Sequence, residues 1–221
     1  MDHMTRWWIA GTSAALLSTN TFQAQSVPSD IVVRVYNIAE LPREDIIAAQ
    51  EVAEKIFRHA GIPLRWRECA AISLGSAEDL CSEPLQPVEV IARLASGGNL
   101  VSPRVFGQAL VVDGQVSAMA TIFVDRITIA AARVNIDRAP LLGRTLAHEL
   151  GHLLIGTNSH AAYGLMRGIW PDAAMRNDAG NHWNFTNREA QHLRLGLGRR
   201  TAAASGQQRQ AVTTAGDKAP S

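Results

Sequence analysis

The sequence predicts a single α+β domain in which a mixed sheet is backed by helices. Three observations lead to it. Short β-branched runs of strand length are interleaved with segments whose apolar residues recur at helical spacing. Asp113-Gly114 sits between two apolar runs and predicts an antiparallel hairpin. The chain has 221 residues, enough for one domain and a tail. Its hydrophobic fraction of 47% and charged fraction of 19% are ordinary for a globular protein. A net charge of +1 gives no bulk electrostatic reason to bind nucleic acid or an anionic membrane. Function must therefore rest on a site.

Taken in order, residues 1–26 have the form of a cleavable export signal. Arg6 supplies the positive flank, Trp7 to Leu17 is a short charge-free apolar run, and Ala24-Gln25-Ser26 fits a small-x-small cleavage site. The run is well short of the roughly 20 residues a membrane span needs. The competing reading is an uncleaved amphipathic anchor. An exported, secreted or periplasmic protein is the expectation, with no membrane attachment after cleavage. Cys69 and Cys81, the only cysteines, then suggest a disulfide closing a small loop, worth about 3 kcal/mol by loop entropy. The alternative is two unpaired buried thiols.

Ile31 to Tyr36 reads as the first strand. Pro42 opens a helix carrying Ile46, Ala49, Val52, Ala53, Ile56, Phe57 and Ala60 at helical spacing, and Gly61 ends it. His59, in its last turn, suits the negative end of the helix dipole better than a metal. Ile62 to Trp66 and Val88 to Leu94 are further strands. Phe106 to Val112 and Val116 to Val124 form the hairpin, and Ile127 to Arg133 a short helix. Pro140 opens, and Gly156 closes, the next helix. Thr186 with Glu189 makes a capping-box pattern for a last helix that ends near Leu195. The domain is thus expected over 27–198, and the apolar-poor stretch 199–221 is expected to be disordered.

The chemistry concentrates in His148-Glu149-Leu150-Gly151-His152. Histidines four apart lie about 40° apart on a helical wheel, so both rings reach one ion, with Glu149 beside them. Leu142, Leu146, Leu150 and Leu153 cluster on the opposite side, so one face packs while the other lines a cleft. The three fixed letters alone arise by chance in roughly one chain in a hundred, so context carries the weight. Catalytic zinc takes three protein ligands and keeps a position for water. His160 follows the helix break at Gly156 and is the first candidate for the third ligand. Glu189, Asp178 and His182 are the rivals, of which Glu189 would mark a different kind of zinc site.

The run from His148 to His160, followed by Gly164-Leu165-Met166, resembles the metzincin clan of zinc peptidases, matrixins in particular, and bacterial exported proteins of similar look. The likeness covers about residues 139–170. It implies a zincin-like fold: a mixed twisted sheet, an active-site helix and a C-terminal helix. It implies zinc (Zn2+) held by His148, His152 and His160, and Met166 in a turn beneath the metal. Glu149 would be the general base for water at the zinc, and the substrate an extended peptide laid on an edge strand, for which Val116 to Val124 is the candidate. Here Gly156 comes one residue later, and His160 two residues later, than in the clan's usual spacing. Other readings are a zincin-fold domain that binds zinc without turnover, and a chance motif in a metal-free domain.

Overall fold

Alternation along the first strand sets the layering. Ile31, Val33 and Val35 are buried on one face, while Arg34 turns to the other. In the computed structural model the described residues are 30–70, 80–97, 102, 104–112, 118–177 and 181–216. The expected export signal, 1–26, lies outside them. No helix among the described residues is long and apolar enough to cross a membrane.

The elements in chain order are β1 (Ile31–Asn37), α1 (Arg43–His59), β2 (Leu64–Cys69), β3 (Glu89–Ala95), β4 (Gly107–Leu110) and β5 (Met119–Phe123). They are followed by α2 (Val124–Val134), α3 (Arg138–Ile155), α4 (Asp172–Arg176), a 3-10 turn (Asn181–Trp183) and α5 (Asn187–Gly216). Five strands form one sheet in the order β2-β1-β3-β5-β4. The first four run parallel, and β4 pairs antiparallel with β5 through Gly107↔Ile122 to Leu110↔Met119. This is the mixed sheet and hairpin the sequence predicts.

One expectation is corrected. The run Val116 to Val124 is not an edge: its strand, β5, lies between β3 and β4. The open edge on that side is β4. Hairpin chemistry says that two strands pair, but not which one finds a further neighbour, and β5 is claimed on its far side by β3.

Helices α1 and α3 pack on each other; α1 touches β2, and α3 covers β3, β5 and β4. The fully buried Phe57, Leu94, Ile122, Leu142, Leu146 and Leu150 lie in this layer. On the other face Arg34 is buried against Glu89, which also receives Arg67 at 2.6 Å. Arg34 Nη1 donates to the carbonyls of Cys81 and Glu83 at 3.1 and 2.8 Å. The Cys69–Cys81 disulfide is formed and ties that segment to the end of β2.

The capping box is present: Thr186 N–H donates to Glu189 at 2.7 Å, and Glu189 N–H to Thr186 Oγ1 at 3.3 Å. The helix it starts does not end near Leu195. It continues to Gly216, so most of the segment expected to be disordered, 199–221, is helical. Gly196 and Gly198 read as breakers, but Gly196 serves contact: a Cβ there would stand 1.8 Å from the Leu154 carbonyl oxygen. Buried Arg200 then donates to the carbonyls of Pro87 and Leu153 at 2.9 and 3.3 Å, extending the attachment past Gly198.

Candidate metal centre and active site

Helix α3 carries His148 and His152, both buried at 6% and 3% exposure. Each ring has one nitrogen committed. His148 Nδ1 lies 2.8 Å from the Leu165 carbonyl, and His152 Nδ1 lies 2.7 Å from the Thr157 carbonyl. A carbonyl only accepts, so each Nδ1 carries the proton. Burial, with the neighbouring His152 next, pushes His148 down to about 3, and burial also lowers His152. Both rings are therefore neutral at ordinary pH, and their Nε2 atoms hold bare lone pairs.

Those lone pairs face one another. His148 Nε2 and His152 Nε2 are 3.0 Å apart, and His152 Nε2 and His160 Nε2 are 3.3 Å apart. All three ligand atoms lie within 4.8 Å of one another. Without a proton between the first two nitrogens, that approach is repulsive unless a cation sits among them. A tetrahedral zinc with about 2.05 Å bonds would hold its nitrogens about 3.3 Å apart. The donor set fits zinc in type and in spacing. The carbonyls behind both helix histidines provide the outer contacts that fix ring orientation at such sites.

The longer loop to His160 closes without disturbing this set. Gly156 ends α3 in the left-handed conformation, φ 81°, with its N–H on the His152 carbonyl at 2.9 Å. Thr157 then presents its carbonyl to His152, while its hydroxyl oxygen accepts from Ser159 N–H at 3.1 Å. Beyond His160, Ala161 N–H donates to the Met166 carbonyl at 2.8 Å, and Ala161 pairs with Arg167. His160 itself is exposed on its outer side. The extra residues are absorbed between Gly156 and Ser159.

The rival third ligands do not enter the cluster. Glu189 is occupied in the cap of α5. His182 is exposed and lies outside the three-histidine group found among the described residues. Asp178 lies outside the described residues. Met166 is buried under the motif, as the turn pattern suggests. A Cβ on Gly151 would stand 2.9 Å from Met166 Sδ and 2.8 Å from the Phe185 ring. The glycine inside the motif is therefore what lets α3 settle onto the methionine.

Glu149 is 5% exposed. Burial pushes its carboxyl up to about 8, against the pull of the Ala109 N–H bonded to it. The strand register explains that bond. Phe123 N–H donates to the Phe106 carbonyl at 2.7 Å, flanking the Gly107–Ile122 pair. That pair is then a non-hydrogen-bonded one, so Gly107 and Ala109 turn their N–H and C=O groups to the open edge. Gly107 adds room: a Cβ there would lie 2.6 Å from Glu149 Cγ.

Sequence reasoning did not find Gly107, Ala109 or the Leu165 carbonyl, because backbone groups and absent side chains leave no mark in a motif. It left Trp170 ambiguous. Trp170 in fact packs edge-on against His148, with centroids 5.6 Å apart, and donates its indole N–H to the same Leu165 carbonyl at 3.3 Å. A cavity of about 560 Å³ opens beside the histidines; Gly107, Thr145, His148, Glu149, His160 and Trp170 are among its walls.

A scan against protein-family models finds no match, and a search of curated proteins finds none either. Among solved structures, the chain resembles archaemetzincin from Methanopyrus kandleri, with a TM-score of 0.52 and 18% identity. The match covers 76% of this chain and 96% of that one. It shows a shared fold: a mostly parallel five-stranded sheet with helices, of the zincin-like kind the sequence predicts.

Proposed function

We propose that this chain is an exported zinc-dependent endopeptidase with Glu149 as its general base. The observation that carries the reading is the convergence of three unprotonated imidazole nitrogens beside a buried carboxyl, under an open strand edge. The archaemetzincin-like fold and the motif's resemblance to metzincins support it. Zinc, when bound by His148, His152 and His160, supplies Lewis acidity toward water and a substrate carbonyl.

The chain's own groups do the rest. Ala109 N–H fixes the Glu149 carboxylate, which takes a proton from water at one oxygen and returns it to the departing amine. Gly107 leaves its N–H and C=O on the open edge, where an extended peptide adds as a strand. Trp170 and Leu165 keep the His148 ring in place behind this surface. The disulfide agrees with an oxidising compartment, and with the export signal read in residues 1–26.

The test is a peptide-library digest read by mass spectrometry, with and without a chelator, for the wild type and Glu149→Gln. Expected is internal cleavage that the chelator removes and that the variant loses while keeping its zinc. Zinc binding with no cleavage by the wild type would make this a zinc-holding domain without turnover.

A further inference from the structure

We propose that the cavity beside the metal centre selects a substrate carboxylate, held by Arg104 and Arg167; this rests on the peptidase reading above.

Three arginines line the cavity: Arg104, Arg133 and Arg167. They are not equivalent. Arg133 is already paired, its Nη2 and Nε lying 2.9 and 3.3 Å from the Asp172 carboxylate oxygens. Asp172 is one of only two carboxyls lining the cavity, and the other, Glu149, is held by the Ala109 N–H. No described acidic side chain forms an ion pair with Arg104 or Arg167. Two guanidinium groups therefore face the cavity with their charge unanswered.

Arg167 is the better placed of the two. It directly follows Met166, and its backbone is pinned to Ala161, the residue after His160. It is half-buried, and its Nε is screened from solvent without a hydrogen-bond acceptor among the described residues. A partly desolvated guanidinium lacking a carboxylate gains more from acquiring one than a fully hydrated surface arginine does. Arg104 is exposed on the segment leading into β4. It joins the cavity from the side of the strand edge where the peptide adds, so the two cations flank the substrate path.

The wall between them is apolar. Val105, Phe106, Ile169, Trp170 and Pro171 give no acceptor of their own for the guanidinium groups. They suit the methylene stem of an acidic side chain, with its carboxylate reaching the arginines. A substrate's C-terminal carboxylate has the same chemistry and would use the same cations.

The test compares binding and turnover. Fluorescent peptides of one sequence carry Glu or Gln at each position around the cleaved bond, with amidated C-termini; a further arm carries Gln throughout and a free C-terminus. Binding is measured on zinc-loaded Glu149→Gln protein, and kcat/KM on the wild type. Expected is a preference of about tenfold or more for the carboxylate peptide in one arm, which weakens with salt. That preference should fall to near parity in Arg104→Gln/Arg167→Gln at unchanged zinc content. Preference in the amidated Glu series assigns an acidic side chain, and preference in the free-acid arm a C-terminus.

Equal binding of Glu, Gln and free-acid peptides overturns the proposal. So does a preference that survives in the double variant, because the metal itself would then hold the carboxylate. Selective binding without turnover by the wild type supports the pocket while removing the peptidase reading. Arg104→Gln alone, at an exposed position, keeps the comparison available if the Arg167 change prevents folding; a preference it leaves untouched counts against the proposal.

Discussion

Gly107→Ala separates folding from chemistry at one atom. A Cβ at this position would lie 2.6 Å from Glu149 Cγ, 2.7 Å from Oε1 and 2.9 Å from Cδ. Carbon contacts settle near 3.5–4.0 Å, so the glutamate must move by roughly 1 Å. It is the outer part of a side chain, not backbone, and it can move. Gly107 has no left-handed backbone torsion to lose, and alanine in a strand gains about 0.5–1 kcal/mol over glycine. Thermal stability should therefore hold or rise slightly. The displaced carboxylate loses the Ala109 N–H, a charge-assisted bond of about 1.5–3 kcal/mol. If that bond positions the base, kcat/KM should fall roughly 10- to 150-fold, with zinc content unchanged. The assay is hydrolysis of a quenched fluorescent peptide, alongside a melting curve and metal analysis. Gln108→Ala, one residue along on the exposed face, is the control. Activity within about threefold of wild type in Gly107→Ala would refute the idea that β4 positions Glu149.

Two further outcomes follow from contacts away from the ligands. Trp170→Phe removes the indole N–H from the Leu165 carbonyl and loosens the edge contact on His148. Zinc affinity, measured by chelator competition, should weaken about 10- to 100-fold with the fold retained; unchanged affinity would show that Trp170 merely packs. Glu89→Ala leaves Arg34 buried without its partner and should cost about 3–5 kcal/mol in urea unfolding. Burial opposes ionisation of Glu89, but the Gln86 N–H, Arg34 and Arg67 outweigh it and hold the carboxyl below its ordinary 4.5. A depressed folded value gives stability that is complete above the unfolded value and is lost as pH falls through the folded one. Wild-type protein should therefore lose stability below about pH 4.5 more steeply than Glu89→Gln, and parallel curves would contradict the assignment.

What the sequence makes legible is what local chemistry decides. The β-branched run of β1, the Asp113-Gly114 hairpin, the Thr186–Glu189 capping box and the Cys69–Cys81 bridge each depend on neighbouring residues and agree with the fold. The metal candidates His148, His152 and His160 were readable because helical spacing and one loop bring them together. Two kinds of feature were not readable. The edge strand depends on strand order, a long-range property, which is how β5 rather than β4 came to be expected there. The continuation of α5 depends on Gly196 fitting against Leu154 and Arg200 reaching the Leu153 and Pro87 carbonyls. Alone, that Gly-containing, apolar-poor stretch has little reason to hold together as a helix. Packing supplies the reason.

The central claim is that His160, brought in by the lengthened loop, completes a three-histidine zinc site. Zinc content per chain after exhaustive dialysis, measured for the wild type, His160→Ala and Glu189→Ala, tests it most directly. The account predicts one zinc per chain in the wild type and in Glu189→Ala, whose side chain caps α5, and a loss of most of it in His160→Ala. Zinc retained in His160→Ala, or lost with Glu189→Ala while the fold stays intact, would contradict it.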